Sequence, residues 1–235
     1  MASARSTRAR RALLAVALTL STLPSSGHAG EGSPRRWQTV DFSVGIAPDR
    51  GTAAISWNQL YAVWPGRLVV GVGPRFTTLF ASGSLTFRTG DPRLIGDGDV
   101  NRLVVPDARV SSLNLQILVV GRLVGPLEAG ADIDVVGVSF GPGRTGGYQA
   151  TDPSLAGARR ARVSSFDLLL GAISDRGQLN SEFFLGLRLG PRWTVRAGVG
   201  HVATEYRTVE ALDGGNRRFR RYTTQGFVGV SRRFR

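Results

Sequence analysis

Apolar and polar residues alternate along most of the chain, in stretches of roughly 10 residues that turns separate. In the stretch 127–140, Leu127, Ile133 and other apolar residues occupy one set of alternate positions, whereas Asp132 and Asp134 occupy the other. Successive side chains of a β-strand point to opposite sides. The pattern therefore predicts strands with one apolar face and one polar face.

The same alternation predicts eight strands. They are expected at residues 37–47, 53–64, 67–80, 110–123, 127–140, 179–190, 193–207 and 222–234. The apolar segment 163–173 is placed within the long connection 141–178, as an outward extension of the wall. Ten strands remain an alternative if that connection contains a hairpin. An even number of strands returns both ends of the domain to the same side of the sheet.

The predicted turns alternate between short and long. Tight turns are expected at 64–67, 125–126 and 190–192, and long polar connections at 81–109, 141–178 and 208–221. Membrane-spanning barrels have this asymmetry, with short turns on one side and long loops on the other. Four aromatic residues fall at strand ends on the short-turn side, where an interface with lipid headgroups would lie. They are Trp37, Trp64, Trp193 and Phe234.

One face of the predicted strands carries charged residues mixed with glycine, whereas the other is almost wholly aliphatic or aromatic. A barrel in lipid needs apolar side chains outside and polar ones inside. The predicted interior network consists of Asp41, Glu128, Asp132, Asp134, Glu182, Arg67, Arg75, Arg122, Arg188 and Arg196, with Arg233 near the end of the last strand. Eight strands enclose just enough space for side chains, and buried charges persist when paired. We therefore expect a salt-bridged plug, with a narrow polar conduit as the alternative.

The first 29 residues have the three regions of a secretory signal peptide in the right order. Arginines precede the apolar run 12–20, which is too short to span a bilayer, and Gly27 and Ala29 supply the small residues of a cleavage site. The predicted organisation is a signal peptide at 1–29, a short linker at 30–36 and one barrel domain at 37–235. This organisation implies export.

Composition excludes several classes of site. The chain contains no cysteine, which excludes a disulfide scaffold, a thiolate metal site and a lipid-modified N-terminal cysteine. The formal net charge is +13, and every basic residue is an arginine. No basic helix or recognised nucleic-acid motif accompanies this charge, so we expect no nucleic-acid partner. The sequence also indicates no cofactor and no metal.

The C-terminal stretch 226–235 resembles the terminal strand that the barrel-assembly machinery recognises. Gly229 and the near-terminal Phe234 fit that signal, whereas Arg232 stands where a hydrophobic residue is usual. Over residues 37–235 the pattern resembles small bacterial outer-membrane β-barrel proteins, typified by the eight-stranded OmpX- and OmpW-like families. The resemblance implies an all-β, transmembrane, antiparallel up-and-down barrel in the bacterial outer membrane. Its implied partners are outer-membrane lipid, lipopolysaccharide and the barrel-assembly machinery.

Two groups of residues are candidates for contacts or chemistry. The long connections concentrate arginines, whose planar guanidinium groups suit the phosphates of lipopolysaccharide. These are Arg159, Arg160, Arg162, Arg217, Arg218, Arg220 and Arg221. His201 invites comparison with lipid A-modifying barrel enzymes, although no serine stands close to it in the sequence.

The expected function is therefore non-enzymatic, structural or adhesive, through the long loops. A lipid A-modifying enzyme that depends on His201, a narrow channel for small solutes and a soluble periplasmic β-barrel are the alternatives. No catalytic residue is assigned, and the sequence leaves the oligomeric state open.

Overall fold

The computed structural model of the chain describes residues 36–89, 101–150, 152–171 and 174–234. The predicted signal peptide, and all of the linker except Arg36, lie outside these residues. Two single 3-10 turns, Pro153–Leu155 and Asp213–Gly215, are the helical elements of the described ranges. No helix there is long and apolar enough to cross a membrane.

The described residues form one antiparallel sheet of thirteen strands, so the all-β prediction is confirmed. The strands are β1 (Arg36–Ala47), β2 (Arg50–Trp64), β3 (Leu68–Ala81), β4 (Leu85–Thr89), β5 (Arg102–Val105), β6 (Arg109–Arg122), β7 (Leu127–Phe140), β8 (Arg144–Gln149), β9 (Gly157–Val163), β10 (Asp167–Leu168), β11 (Leu179–Leu189), β12 (Trp193–Thr208) and β13 (Arg218–Phe234).

The long strands close into a ring, which we call the main ring. The pairing runs through β1, β2, β3, β6, β7, β11, β12 and β13, and then returns to β1. The closing ladder extends from Gln38 opposite Phe234 to Ile46 opposite Gly226. These strands coincide with the eight predicted stretches to within one residue, except that β2 begins three residues and β13 four residues earlier than expected. We call the end with the turns 65–67, 123–126 and 190–192 the proximal end, and the opposite end the distal end.

Each strand of the main ring turns an apolar face outward. Among the exposed side chains are Phe42, Ile55, Phe76, Leu115, Val138, Leu185, Val195 and Val228, one from each strand. The inward positions carry polar side chains that are almost wholly buried. Among these are Asp41, Asn58, Arg75, Asn114, Asp134, Glu182, Arg196 and Gln225, again one from each strand. This distribution reverses the usual preference of proteins in water, where large apolar side chains are buried and charged ones exposed.

Glycine at inward positions allows neighbouring strands to approach closely. A Cβ atom on Gly73 would lie 1.8 Å from the carbonyl oxygen of Trp57, and one on Gly198 would lie 1.9 Å from that of Phe183. These carbonyls belong to backbone, so a larger residue could not be accommodated by a side-chain movement. The glycines thus permit the tight curvature that a narrow closed sheet requires.

A second, smaller ring stands on the distal end, and we call it the distal extension. It consists of β4, β5, β8 and β9 together with the distal ends of β12 and β13. The segments 81–109, 141–178 and 208–221, predicted as long polar connections, contain strands, and β8 pairs with β9 as a hairpin within 141–178. These segments also contain short alternating runs of apolar residues that pair with one another. β10, within the segment 163–173, extends the wall beside β7 as predicted.

The interior of the distal extension is apolar, unlike that of the main ring. Its buried cluster includes Leu79, Leu85, Phe87, Leu103, Val105, Val110, Tyr148, Tyr206 and Phe219. Tyr148 packs edge-on against Phe219, with ring centroids 5.7 Å apart. Burial, together with the nearby Asp213, raises the pKa of Tyr148 to about 12. The extension is therefore a small hydrophobic core of its own, stacked on a polar one.

Candidate functional site

Arg75 is the centre of an ion network inside the main ring. It projects inward from β3, is 2% exposed and forms an ion pair with Asp132 of β7. Its Nε lies 3.1 Å from Oδ1 of Asp134, and its Nη1 lies 3.5 Å from Oε1 of Glu182 on β11. Asn114 and the backbone amide of Asn180 donate to the other oxygen of Asp134, at 3.0 and 2.9 Å. A single guanidinium thus joins three carboxylates from two neighbouring strands.

A second network lies closer to the proximal end. Arg196 of β12 lies 3.5 Å from Asp41 of β1, and its guanidinium carbon lies 4.8 Å from the ring centroid of Phe184. Asp41 also accepts a 2.6 Å hydrogen bond from Asn58, which in turn accepts one from Gln116. Polar side chains from opposite walls therefore meet across the ring and fill it.

The space left between the two networks is about 10 Å³, enclosed by residues that include Arg75, Arg196 and Glu182. A single water molecule needs about that much room. This space therefore holds about one water molecule.

The predicted interior residues divide into two groups. Six of them meet in the two networks, namely Asp41, Asp132, Asp134, Glu182, Arg75 and Arg196. Three are half-buried at the proximal mouth, namely Glu128, Arg122 and Arg188. Arg67 is not an interior residue: it is exposed, and its guanidinium carbon lies 5.0 Å from the ring centroid of Trp64. Arg67 belongs to the turn 65–67, where successive side chains no longer alternate between two faces. The strand pattern therefore does not determine where its side chain points. The predicted interior network omitted the side-chain amides of Asn58, Asn114 and Gln116. These residues nevertheless occupy the inward-facing positions of their strands, as the charged residues of the network do.

The four predicted interface aromatics also divide. Trp64, Trp193 and Phe234 are exposed at the proximal end, as expected. Trp37 is buried instead, with the guanidinium carbon of Arg233 4.1 Å from its ring centroid. The prediction was wrong for Trp37 because this residue lies on the same face of β1 as Asp41, so that both side chains point into the ring.

Several of the distal arginines have partners within the chain. Arg218 and Arg220 each reach a carboxylate oxygen of Glu205 at 2.8 Å, and Arg221 forms an ion pair with Asp49. Arg159 donates to the carbonyl of Leu155 at 2.7 Å. Four of the seven predicted lipopolysaccharide contacts are therefore already bound by other groups of the chain.

The remaining distal arginines form an exposed surface. Three more of the predicted lipopolysaccharide contacts are exposed, namely Arg160, Arg162 and Arg217. Arg207 is also exposed, although it was not among the predicted contacts. Arg162 lies directly opposite Arg207 in the ladder between β9 and β12, and Arg207 lies opposite Arg218 on β13. Like charges directly opposite each other destabilise a sheet. An anion bound over the exposed pair of Arg162 and Arg207, which we call the arginine row, would relieve that repulsion.

His201 lies on the outward face of β12, stacked on Tyr222 with ring centroids 5.8 Å apart. The ladder places Ser181 of β11 directly opposite it, a neighbour that sequence distance conceals. Glu205, on the same strand, is bound by Arg218 and Arg220. Ser181 and His201 are therefore neighbours, whereas Glu205 lies further along β12 and is already engaged by two arginines.

No family model matches this chain, and no curated protein matches it. Among solved structures, the chain is similar to neisserial surface protein A, with a TM-score of 0.42, 10% identity and coverage of 87% of this chain and all of that one. It is also similar to a major outer membrane protein from Thermus thermophilus, with a TM-score of 0.39, 17% identity and coverage of 85% and 99%. A Pseudomonas aeruginosa FadL homologue follows, with a TM-score of 0.22, 10% identity and coverage of 85% and 89%. Likenesses at these scores carry no information about what this chain does.

Proposed function

We propose that this chain is an outer-membrane protein whose main ring is an eight-stranded transmembrane barrel of the OmpX and OmpW kind. In this proposal the barrel is closed by its own side chains and holds the distal extension at the cell surface, where the extension makes structural or adhesive contacts. Export through the predicted signal peptide and insertion by the barrel-assembly machinery belong to the same proposal. No catalytic step is part of it.

The observation that carries the proposal is the reversed burial of the main ring. Its exposed apolar side chains surround the whole ring, and each strand is at least as long as the ~9–11 residues that a tilted transmembrane strand requires. Soluble monomers rarely expose such continuous apolar surface. In a bilayer the same surface contacts lipid, and the buried polar interior satisfies the requirement that backbone and side-chain groups be paired inside.

An arginine on the outward face should weaken the barrel. Leu185 of β11 is 64% exposed, and the residues opposite it on the two neighbouring strands are Ala197 and Ala129. We expect Leu185→Arg to lower the free energy of unfolding in bilayers by about 2–4 kcal/mol, as cations near the midplane of barrels do. Urea unfolding in vesicles, followed by the heat-dependent mobility on unboiled gels, measures the loss.

Val209→Arg is the matched control, because Val209 is an exposed apolar residue beyond the end of β12 and outside the main ring. It should unfold like the parent protein. If Leu185→Arg is equally harmless, and the protein dissolves without detergent, then Leu185 faces water and the soluble β-fold is correct.

The surface contact that the geometry favours is with lipopolysaccharide. The arginine row presents guanidinium groups side by side, and each can bind a phosphate through two parallel hydrogen bonds. Its neighbours Arg160 and Arg217 are also exposed. The row lies just beyond the apolar surface of β12, at the height where the phosphates of an outer leaflet would be.

Removing two of these guanidinium groups should weaken lipopolysaccharide binding. For the double variant Arg162→Gln with Arg207→Gln we expect roughly tenfold weaker binding, since exposed contacts contribute up to about 1 kcal/mol each. Binding of purified lipopolysaccharide to the refolded protein at low and at high salt measures it, and the parent should lose affinity with salt. Arg67→Gln, at the proximal end, should bind like the parent. Equal binding by the double variant would remove this contact from the proposal.

The other candidate functions have less support in the structure. A narrow channel conflicts with the space of about 10 Å³ between the two ion networks. A lipid A-modifying enzyme would require Glu205 to leave Arg218 and Arg220 before it could orient His201.

A further inference from the structure

A cavity of about 180 Å³ opens at the proximal end of the main ring, and we call it the proximal vestibule. The network of Arg196 and Asp41 borders it on the distal side. Its size is comparable to engineered cavities of about 150 Å³ that bind benzene. The vestibule therefore has room for one aromatic ring or a short alkyl chain.

The deep wall of the vestibule is apolar. It is formed by Trp37, Leu60, Val69, Leu118 and Phe184, all of them buried and packed in one cluster. These residues point inward, where the rest of the main ring carries polar side chains. An apolar wall at this position departs from the polar plug, and Phe184 connects the two through its contact with the guanidinium of Arg196.

The mouth of the vestibule is strongly cationic. It is lined by Arg122, Arg188, Arg192 and Arg233 against the carboxylate of Glu128, whereas Arg196 and Asp41 belong to the network on the distal side. Asp41 is already bonded to Asn58 and paired with Arg196, so it neutralises little of the charge at the rim. An excess of positive charge beside an apolar wall attracts an anion with an apolar part.

Two guanidinium groups of the vestibule lining each have a buried N–H donor without an acceptor among the described residues. Arg196 is 5% exposed, and its buried Nε meets no hydrogen-bond acceptor among the described residues. The Nε of Arg188 is likewise buried without an acceptor there, although its Nη2 donates to the carbonyl of Gly125 at 2.7 Å. A buried donor without a partner is costly, and the charges of Arg188 and Arg196 are therefore incompletely compensated by the described residues.

We infer that the proximal vestibule binds a small amphipathic carboxylate. Its carboxylate lies among the guanidinium groups of Arg122, Arg188 and Arg233, and its aromatic ring or short alkyl chain rests against Leu118 and Phe184. Neutral molecules of the same shape gain only the apolar contact. The inference depends on the vestibule alone, and it stands or falls separately from the contact with lipopolysaccharide at the distal end.

The test compares two probes that differ in charge and little else. 3-Phenylpropionate and 3-phenylpropanol are titrated into the folded full-length chain, kept in a detergent with an uncharged headgroup, while calorimetry and tryptophan fluorescence are recorded. Trp37 and Trp193 both line the vestibule, so their emission reports occupancy. We expect the carboxylate to bind at least about tenfold more tightly than the alcohol, because charge-assisted hydrogen bonds are the strong ones.

Variants locate the site. Arg122→Gln with Arg233→Gln should abolish the preference for the carboxylate, whereas Arg67→Gln, on the same end but outside the vestibule, should keep it. Heat-dependent mobility on unboiled gels confirms that each variant is folded before the titration. The inference is overturned if neither probe binds, if the acid and the alcohol bind equally, or if the folded double variant retains the preference.

Discussion

Replacement of Arg75 by methionine should prevent the main ring from folding stably. The guanidinium of Arg75 is the partner of Asp132, Asp134 and Glu182, and all four side chains are buried. Breaking a buried ion pair by removing one partner costs about 3–5 kcal/mol, because the remaining charge is left without compensation. Here one substitution leaves three carboxylates. A loss of that size is a large part of the ~5–15 kcal/mol that stabilises a typical protein.

Refolding into detergent micelles, followed by unboiled gels across a urea series, measures the effect. Arg75→Met should show little or none of the compact, heat-sensitive band. Arg67→Met is the matched control, since Arg67 is exposed at the proximal turn, and surface substitutions typically change stability by less than about 0.5 kcal/mol. Adding Asp132→Asn and Asp134→Asn to Arg75→Met should restore part of the compact band, because amides cost less to bury than unpaired charges. A single variant Arg75→Met that folds as well as the parent would show that the network contributes nothing to stability.

Phe219→Ala should unfold the distal extension and leave the main ring intact. Phe219 is fully buried, packs edge-on against Tyr148 and belongs to a cluster separate from the one at the proximal end. Truncating a buried phenylalanine to alanine typically costs about 3–5 kcal/mol. Phe219 belongs to the apolar cluster on which the extension depends, and regions of low local stability open independently of the rest.

Limited digestion with trypsin measures the unfolding of the distal extension, because the extension contains arginines at 102, 144 and 160. Phe219→Ala should be cut at these sites much faster than the parent, while the protected core remains a heat-sensitive compact band. Val228→Ala, an exposed position lower on the same strand, should be digested like the parent. If the main ring and the distal extension of Phe219→Ala instead unfold together, the two rings share a single cooperative core and do not unfold separately.

The failures of sequence reasoning have identifiable causes. The strands of the distal extension are only four to seven residues long, as β5 and β9 illustrate, and alternation over so short a run is indistinguishable from a polar loop. Arg67 was assigned inward by continuing the parity of a strand through a turn. Arg218 and Arg220 look like open cations in the sequence, because Glu205 stands in another strand and becomes their partner only through the ladder between β12 and β13.

The sequence by itself determined which face of each long strand is apolar, because successive side chains alternate as a local property of an extended backbone. It thereby placed Asp41, Arg75, Asp134 and Glu182 on the inward side before any pairing was known. Only the tertiary structure decided which of them meet. Closure of β1 on β13, and the stagger of strands around the ring, bring Arg75 to Glu182 and set Ser181 opposite His201. Such contacts depend on strand order and register across the whole ring, which no local stretch of sequence contains.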